Sequence, residues 1–180
     1  MIIELQKILT PDECDELIAF FENNPQVLRT GDAQPMFDGR TIEGSLVSGK
    51  ARQIMEGLKA RVLIAAAKYY HLEELYLDFW SLTKWTDGQD MEWHADNVTD
   101  KREPHYYCHW RDYSAIVYLN HDFEGGTTLF RHQREEFIPT KGHACLFPAT
   151  YNYTHSVKQL KGGPRYTVSI WMTRDREQAV

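Results

Sequence analysis

The chain has 180 residues, enough for one domain with a real core, and its 42% hydrophobic and 13% aromatic residues exclude a disordered or fibrous protein. A net charge of −6 argues against a nucleic-acid binder that works through a broad basic face. No apolar stretch is long enough to span a bilayer, and the N-terminus has no basic segment followed by an apolar run. The three cysteines, Cys14, Cys108 and Cys145, form no CxxC pair, which points to reduced thiols and a cytoplasmic location.

Residues 2–9 alternate loosely and predict a short strand. Thr10-Pro11-Asp12-Glu13 then starts a helix: Thr10 as N-cap, Pro11 in the first turn, Glu13 completing a capping box. Leu17, Ile18, Phe20 and Phe21 give it an apolar face, and Asn23-Asn24-Pro25 ends it. Residues 25–47 carry Gly31, Pro35, Gly39 and Gly44 among polar residues. They read as a long loop or irregular strands with the character of a lid. A second helix is predicted over 49–70, with Ile54, Leu58, Val62 and Ala65 on one stripe and Met55 and Leu63 beside it.

From residue 75 the pattern changes to short apolar runs, at 75–85, 91–95, 113–120, 127–130, 135–138, 143–147, 153–158 and 165–173. Asp87-Gly88, Gly125-Gly126, Lys141-Gly142 and Gly162-Gly163 punctuate them. About eight short strands after two helices predict a mainly β protein, a sandwich or open barrel with helices packed on one outer face. The chain reads as a single domain, with 1–74 as helical support and 75–175 as the β core.

Within this pattern Trp93-His94-Ala95-Asp96 supplies a His-x-Asp pair. Residues two apart on a strand share a face, so His94 and Asp96 can aim at one point. A third ligand must come from another strand, and His155 lies in a run able to deliver it. Two imidazoles and one carboxylate can bind one face of Fe(II) and leave the other open. Three such ligands also suit zinc. Arg165 favours iron with a 2-oxo acid, because a guanidinium can hold the far carboxylate of such an acid and a plain zinc hydrolase has no need of it. A hairpin through Gly162-Gly163-Pro164 would bring Arg165 near His155. The remaining histidines, His71, His105, His109, His121, His132 and His143, read as exposed or hydrogen-bonded imidazoles.

Three blocks resemble the Fe(II)/2-oxoglutarate dioxygenase superfamily, and within it the prolyl hydroxylases. Trp85 through Gly88 and Gln89 to His94-Ala95-Asp96 is the first, and Arg111-Asp112-Tyr113-Ser114-Ala115-Ile116-Val117-Tyr118-Leu119-Asn120 with Gly125-Gly126 is the second. The latter is similar to the catalytic domain of the leprecan-like prolyl 3-hydroxylases. His155 through Arg165 to Trp171 is the third, Ile8 to Leu17 resembles the start of many prolyl-hydroxylase domains, and overall length is similar to the short prolyl 4-hydroxylases.

The resemblance implies a double-stranded β-helix, with N-terminal helices packed on one sheet. It implies His94, Asp96 and His155 as iron ligands, and Arg165 with Tyr118 on the C5 carboxylate of 2-oxoglutarate. Ser169 would add a hydroxyl nearby and Trp171 would back the pocket. Trp85 stands where the family usually has a tyrosine near the oxo acid, and a Trp offers only an N–H donor. The implied cofactors are Fe(II), 2-oxoglutarate and O2, with ascorbate as reductant, and the implied partner is a proline-containing peptide or protein. The same chemistry on a free amino acid, another side chain or a small metabolite is the alternative. A non-catalytic β-barrel binding module is a more distant one. The segment 97–112, with Tyr106, Tyr107, Trp110 and Arg111, is a candidate substrate rim.

Overall fold

The computed structural model describes residues 1–30 and 39–180. β1 (Ile3–Leu5) leads into α1 (Pro11–Asn23). The capping box forms as its residues dictate: Glu13 N–H donates to Thr10 Oγ1 and Thr10 N–H to Glu13 Oε2. A short 3-10 turn, Pro25–Val27, follows. The expected lid segment contains β2 (Thr41–Glu43) and a second such turn, Gly44–Leu46, while its 31–38 portion lies outside the described residues.

α2 (Gly49–Tyr70) buries Ala51, Met55, Leu58, Val62 and Ala66. The buried stripe is thus centred slightly off the expected one: Met55, expected beside the stripe, and Ala66 are fully buried, while Ile54 and Ala65 pack partly buried at its edge. The helix ends at His71, whose φ of 54° is left-handed, so this histidine has a capping role.

The remaining strands are β3 (Tyr76–Trp85), β4 (Met91–His94), β5 (Tyr113–Tyr118), β6 (Thr128–Phe130), β7 (Glu135–Phe137), β8 (Ala144–Pro148), β9 (His155–Val157) and β10 (Arg165–Thr173). They form two antiparallel sheets, ordered β1-β8-β5-β10-β3-β2 and β4-β9-β6-β7. Two strands from the first 74 residues, β1 and β2, therefore join the larger sheet at its two edges.

Alternation along β10 separates two environments. Val168, Ile170 and Met172 join Leu17, Phe21, Met55, Leu58 and Val62 in the core between the larger sheet and the helices. Burying each such side chain contributes about 1.5–3 kcal/mol. Arg165, Thr167, Ser169 and Trp171 face the other way, toward the smaller sheet. A second apolar cluster joins the two sheets there: Tyr118, Cys145 and Phe147 from the larger, Phe130 from the smaller. The Phe130 and Phe147 rings meet edge to face at 4.9 Å.

One expectation is corrected. β9 pairs with β4 and β6, while β10 pairs with β3 and β5, so His155 and Arg165 are not neighbours across a hairpin. The seven residues between these strands carry the chain from one sheet to the other, and the two side chains enter the interior from opposite sheets.

Candidate metal and oxo-acid site

His94 ends β4 and is the register partner of His155, which opens β9. Their ring centroids lie 4.2 Å apart. Asp96 lies two residues beyond His94. One ligand atom from each of the three falls within 4.8 Å of the others, and His94 Nε2 is 3.8 Å from Asp96 Oδ1. Backbone carbonyls fix both rings: His94 Nδ1 is 2.8 Å from Glu92 O, and His155 Nδ1 is 3.0 Å from Tyr153 O. A carbonyl only accepts, so each Nδ1 carries the proton and each Nε2 keeps its lone pair for a metal.

The electrostatics agree with that role. Burial, then the neighbouring His94, pushes His155 down to about 4, so its imidazole is neutral near pH 7. Burial pushes Asp96 up, but the two imidazoles and the Ser114 hydroxyl outweigh it and hold the carboxyl below its usual range. Neutral imidazoles and an ionised carboxylate are the forms that bind a divalent ion.

Arg165 lies at the opposite end of the interior and is 1% exposed. It pairs in register with Trp85, whose ring is 5.7 Å from the guanidinium carbon, and the Tyr118 ring is 5.2 Å away. Its Nε and Nη2 are buried without a hydrogen-bond partner. Buried donors are almost always paired, and two adjacent N–H groups of a guanidinium match a carboxylate. The donor sets therefore fit a divalent ion at one end and the carboxylate of an oxo acid at the other.

Two hydroxyls near Arg165 escaped the sequence reading. Thr128 Oγ1 is 2.8 Å from Tyr118 Oη, and Thr167, 1% exposed, stands between Tyr118 and Thr83 in register. Alternation along the Arg165 strand was the available signal for Thr167. Ser169 lies one step further on, between Ser81 and Ile116. Trp171 is six residues from Arg165, roughly 20 Å along an extended strand. It stands against Phe79 at 5.8 Å, with the Arg111 guanidinium 4.5 Å above its ring. It therefore sits beside the segment that follows Asp96, at the far end of its strand from Arg165.

The 97–112 segment is fastened to β3. Trp110 Nε1 donates to Asp78 Oδ1 at 2.8 Å and Arg111 Nε to Asp78 Oδ2 at 2.7 Å. Tyr106 and Tyr107, in contrast, are exposed.

The 2OG-Fe(II) oxygenase superfamily matches residues 80–173, and the chain belongs to this family. The family's reaction draws on Fe(II), 2-oxoglutarate and O2. Among curated relatives, prolyl 3-hydroxylase 1 from Gallus gallus is 38% identical over 86 residues, covering 45% of this chain and 12% of the relative. Prolyl 3-hydroxylase 2 from Homo sapiens is 26% identical over 210 residues, covering 95% of this chain and 29% of the relative. The chain thus spans less than a third of the length of these relatives.

Two solved structures share its fold. A viral collagen prolyl hydroxylase from Paramecium Bursaria Chlorella virus-1, complexed with 2OG, superposes with a TM-score of 0.72 at 18% identity, over 99% of this chain and 96% of that one. A Pseudomonas putida prolyl-4-hydroxylase gives 0.67 at 17%, over 97% and 92%. The architecture is the double-stranded β-helix. No helix among the described residues is long and apolar enough to cross a membrane.

Proposed function

We propose that this chain is an Fe(II)/2-oxoglutarate-dependent dioxygenase that hydroxylates prolyl residues in a peptide or protein. The observation that carries the chemistry is the pairing of two donor sets across one interior: His94, Asp96 and His155 within 4.8 Å of one another, and a buried Arg165 with two unpartnered N–H groups. The prolyl substrate is supported by the prolyl 3-hydroxylase relatives and by the shared fold.

His94 Nε2, Asp96 Oδ1 and His155 Nε2 would hold the iron. Arg165, with Tyr118 and Thr167 beside it, would fix the far carboxylate of 2-oxoglutarate and favour a five-carbon diacid over pyruvate. Iron and oxo acid together supply the oxidising power: 2-oxoglutarate and O2 become succinate and CO2, and one oxygen atom enters a substrate C–H bond. The chain's own part is to orient these groups and keep the interior dry. Tyr118 and Phe147 on one side and Phe130 on the other form a buried apolar cluster that would help keep water from the groups held there. Trp171, Arg111 and the 97–112 segment would form the rim a substrate meets. Ascorbate would keep the iron ferrous, and the three free cysteines suit a reducing compartment such as the cytoplasm.

The test is mass spectrometry of a proline-rich peptide library after incubation with Fe(II), 2-oxoglutarate and ascorbate. One added oxygen on proline is expected, with succinate formed in step. Asp96→Ala and His155→Ala should abolish both signals. Succinate formed only with free amino acids would move the substrate class, and full turnover by either variant would remove the ligand assignment.

A further inference from the structure

Asp96 is held differently from the two histidines. His94 and His155 are each oriented by a carbonyl two residues earlier in their own stretch of chain. Asp96 lies past the end of β4, where no ladder fixes its side chain. Its backbone is tethered at both sides: its N–H donates to Ala149 O at 3.2 Å, and its C=O accepts from Cys108 Sγ at 3.2 Å. The side chain is fixed by one group from the other sheet. Ser114, on β5 and 2% exposed, donates its hydroxyl to Asp96 Oδ2 at 2.5 Å. That distance is at the short end for a hydroxyl on a carboxylate.

We propose that Ser114 is a positioning residue for the metal centre. It occupies Asp96 Oδ2 and so leaves Oδ1, the oxygen facing His94 Nε2, as the one offered to the ion. The inference rests on His94, Asp96 and His155 being the ligands. Without the hydroxyl, the carboxylate is free to rotate about its own bond. The ion then meets a donor set whose third member must be ordered on binding, and affinity falls. Ser114 also joins the ligand that follows β4 to the larger sheet, which makes the ligand geometry depend on how the two sheets sit together.

Mn(II) binding to the purified full chain, followed by the electron paramagnetic resonance of the free ion, reads this without turnover. Ser114→Thr and Ser114→Val place the same branched volume at β5 and differ in the hydroxyl. Ser114→Thr should keep Mn(II) affinity within a few-fold, while Ser114→Val should lose about 10–100-fold, the range for removing a group that orients a metal ligand. With Mn(II) saturating, 2-oxoglutarate affinity should be the same in both, because Arg165 is untouched. Equal Mn(II) affinity in the two variants would overturn the proposal. Asp96→Ala is the control that separates the two levels. If it binds Mn(II) as tightly as the parent protein, the ligand reading itself fails. If it loses binding while Ser114→Val does not, the role of Ser114 alone fails.

Discussion

Asp78 and Arg111, 33 residues apart in sequence, meet at 2.7 Å with their side chains only 9% and 18% exposed. The Asp78 carboxylate also takes the Trp110 indole N–H, so both of its oxygens are used. One acidic side chain on β3 thereby holds the C-terminal end of the 97–112 segment, and the Arg111 guanidinium it fixes lies over the Trp171 ring at 4.5 Å.

Asp78→Ala should leave Arg111 and Trp110 without their acceptor. Removing one partner of a largely buried pair costs about 3 kcal/mol or more. Denaturant unfolding should show this loss, and amide hydrogen exchange should rise most in 97–112. Unchanged exchange there would show that other contacts hold the segment.

Arg165→Met tests the opposite kind of charge. Arg165 is buried with Nε and Nη2 unpaired, so the ligand-free protein bears the cost of its desolvation. An apolar side chain of similar length should leave the ligand-free unfolding midpoint unchanged or higher. The same substitution should abolish the stabilisation by 2-oxoglutarate, which for the parent protein amounts to about 2.7 kcal/mol at a hundredfold excess over Kd. Thermal scans with and without the oxo acid check both halves.

Gly126 approaches Arg165 closely. A Cβ there would lie 3.0 Å from Arg165 Cδ and 3.0 Å from the Phe123 ring, at a φ of +60° that disfavours a side chain. Gly126→Ala should cost about 1 kcal/mol in backbone strain. It should also displace the guanidinium, raising the KM for 2-oxoglutarate about tenfold or more, a shift of at least 1.4 kcal/mol. Metal affinity should not move. Steady-state kinetics and Mn(II) titration separate these outcomes.

Glu22 on α1 accepts from Lys84 Nζ at 2.7 Å and from Tyr166 Oη at 2.5 Å, and these hydrogen bonds hold its carboxyl below the ordinary value. A depressed carboxyl stabilises the fold above its unfolded-state pKa, and that stabilisation is lost as pH falls through the folded value. Glu22→Gln should therefore lose less stability than the parent protein on acidification from about pH 6 to about pH 3. Denaturant midpoints across that range measure the difference.

What could be read from the sequence was local. Thr10 and Glu13 are three residues apart and form their capping box within one turn. The His94-x-Asp96 spacing marked a ligand pair at a strand end, although Asp96 itself lies just past β4 and takes its place from Ala149, Cys108 and Ser114. Gly162 and Gly163 both adopt positive φ, as a turn requires, yet the turn leads to the other sheet. The pattern of the β9 and β10 strands carries no sign of that crossing. β2 was hidden because only three residues of it pair, among glycines and polar residues. Ser114 and Asp78 have no signature of their own, and Thr128 gains its partner only when the two sheets close on each other. Each acquires meaning through a register that the whole chain decides.

The β4–β9 pairing has one more consequence. His94 and His155 face each other across a single ladder that is already irregular between Met91 and His94. A slip by one residue would turn one imidazole to the outer surface while the other stayed inside. An ion gripping both rings would forbid that slip. Loading would then serve as a latch on the short hairpin-free edge of the smaller sheet, and protease resistance around residues 88–94 would report occupancy before any turnover is measured.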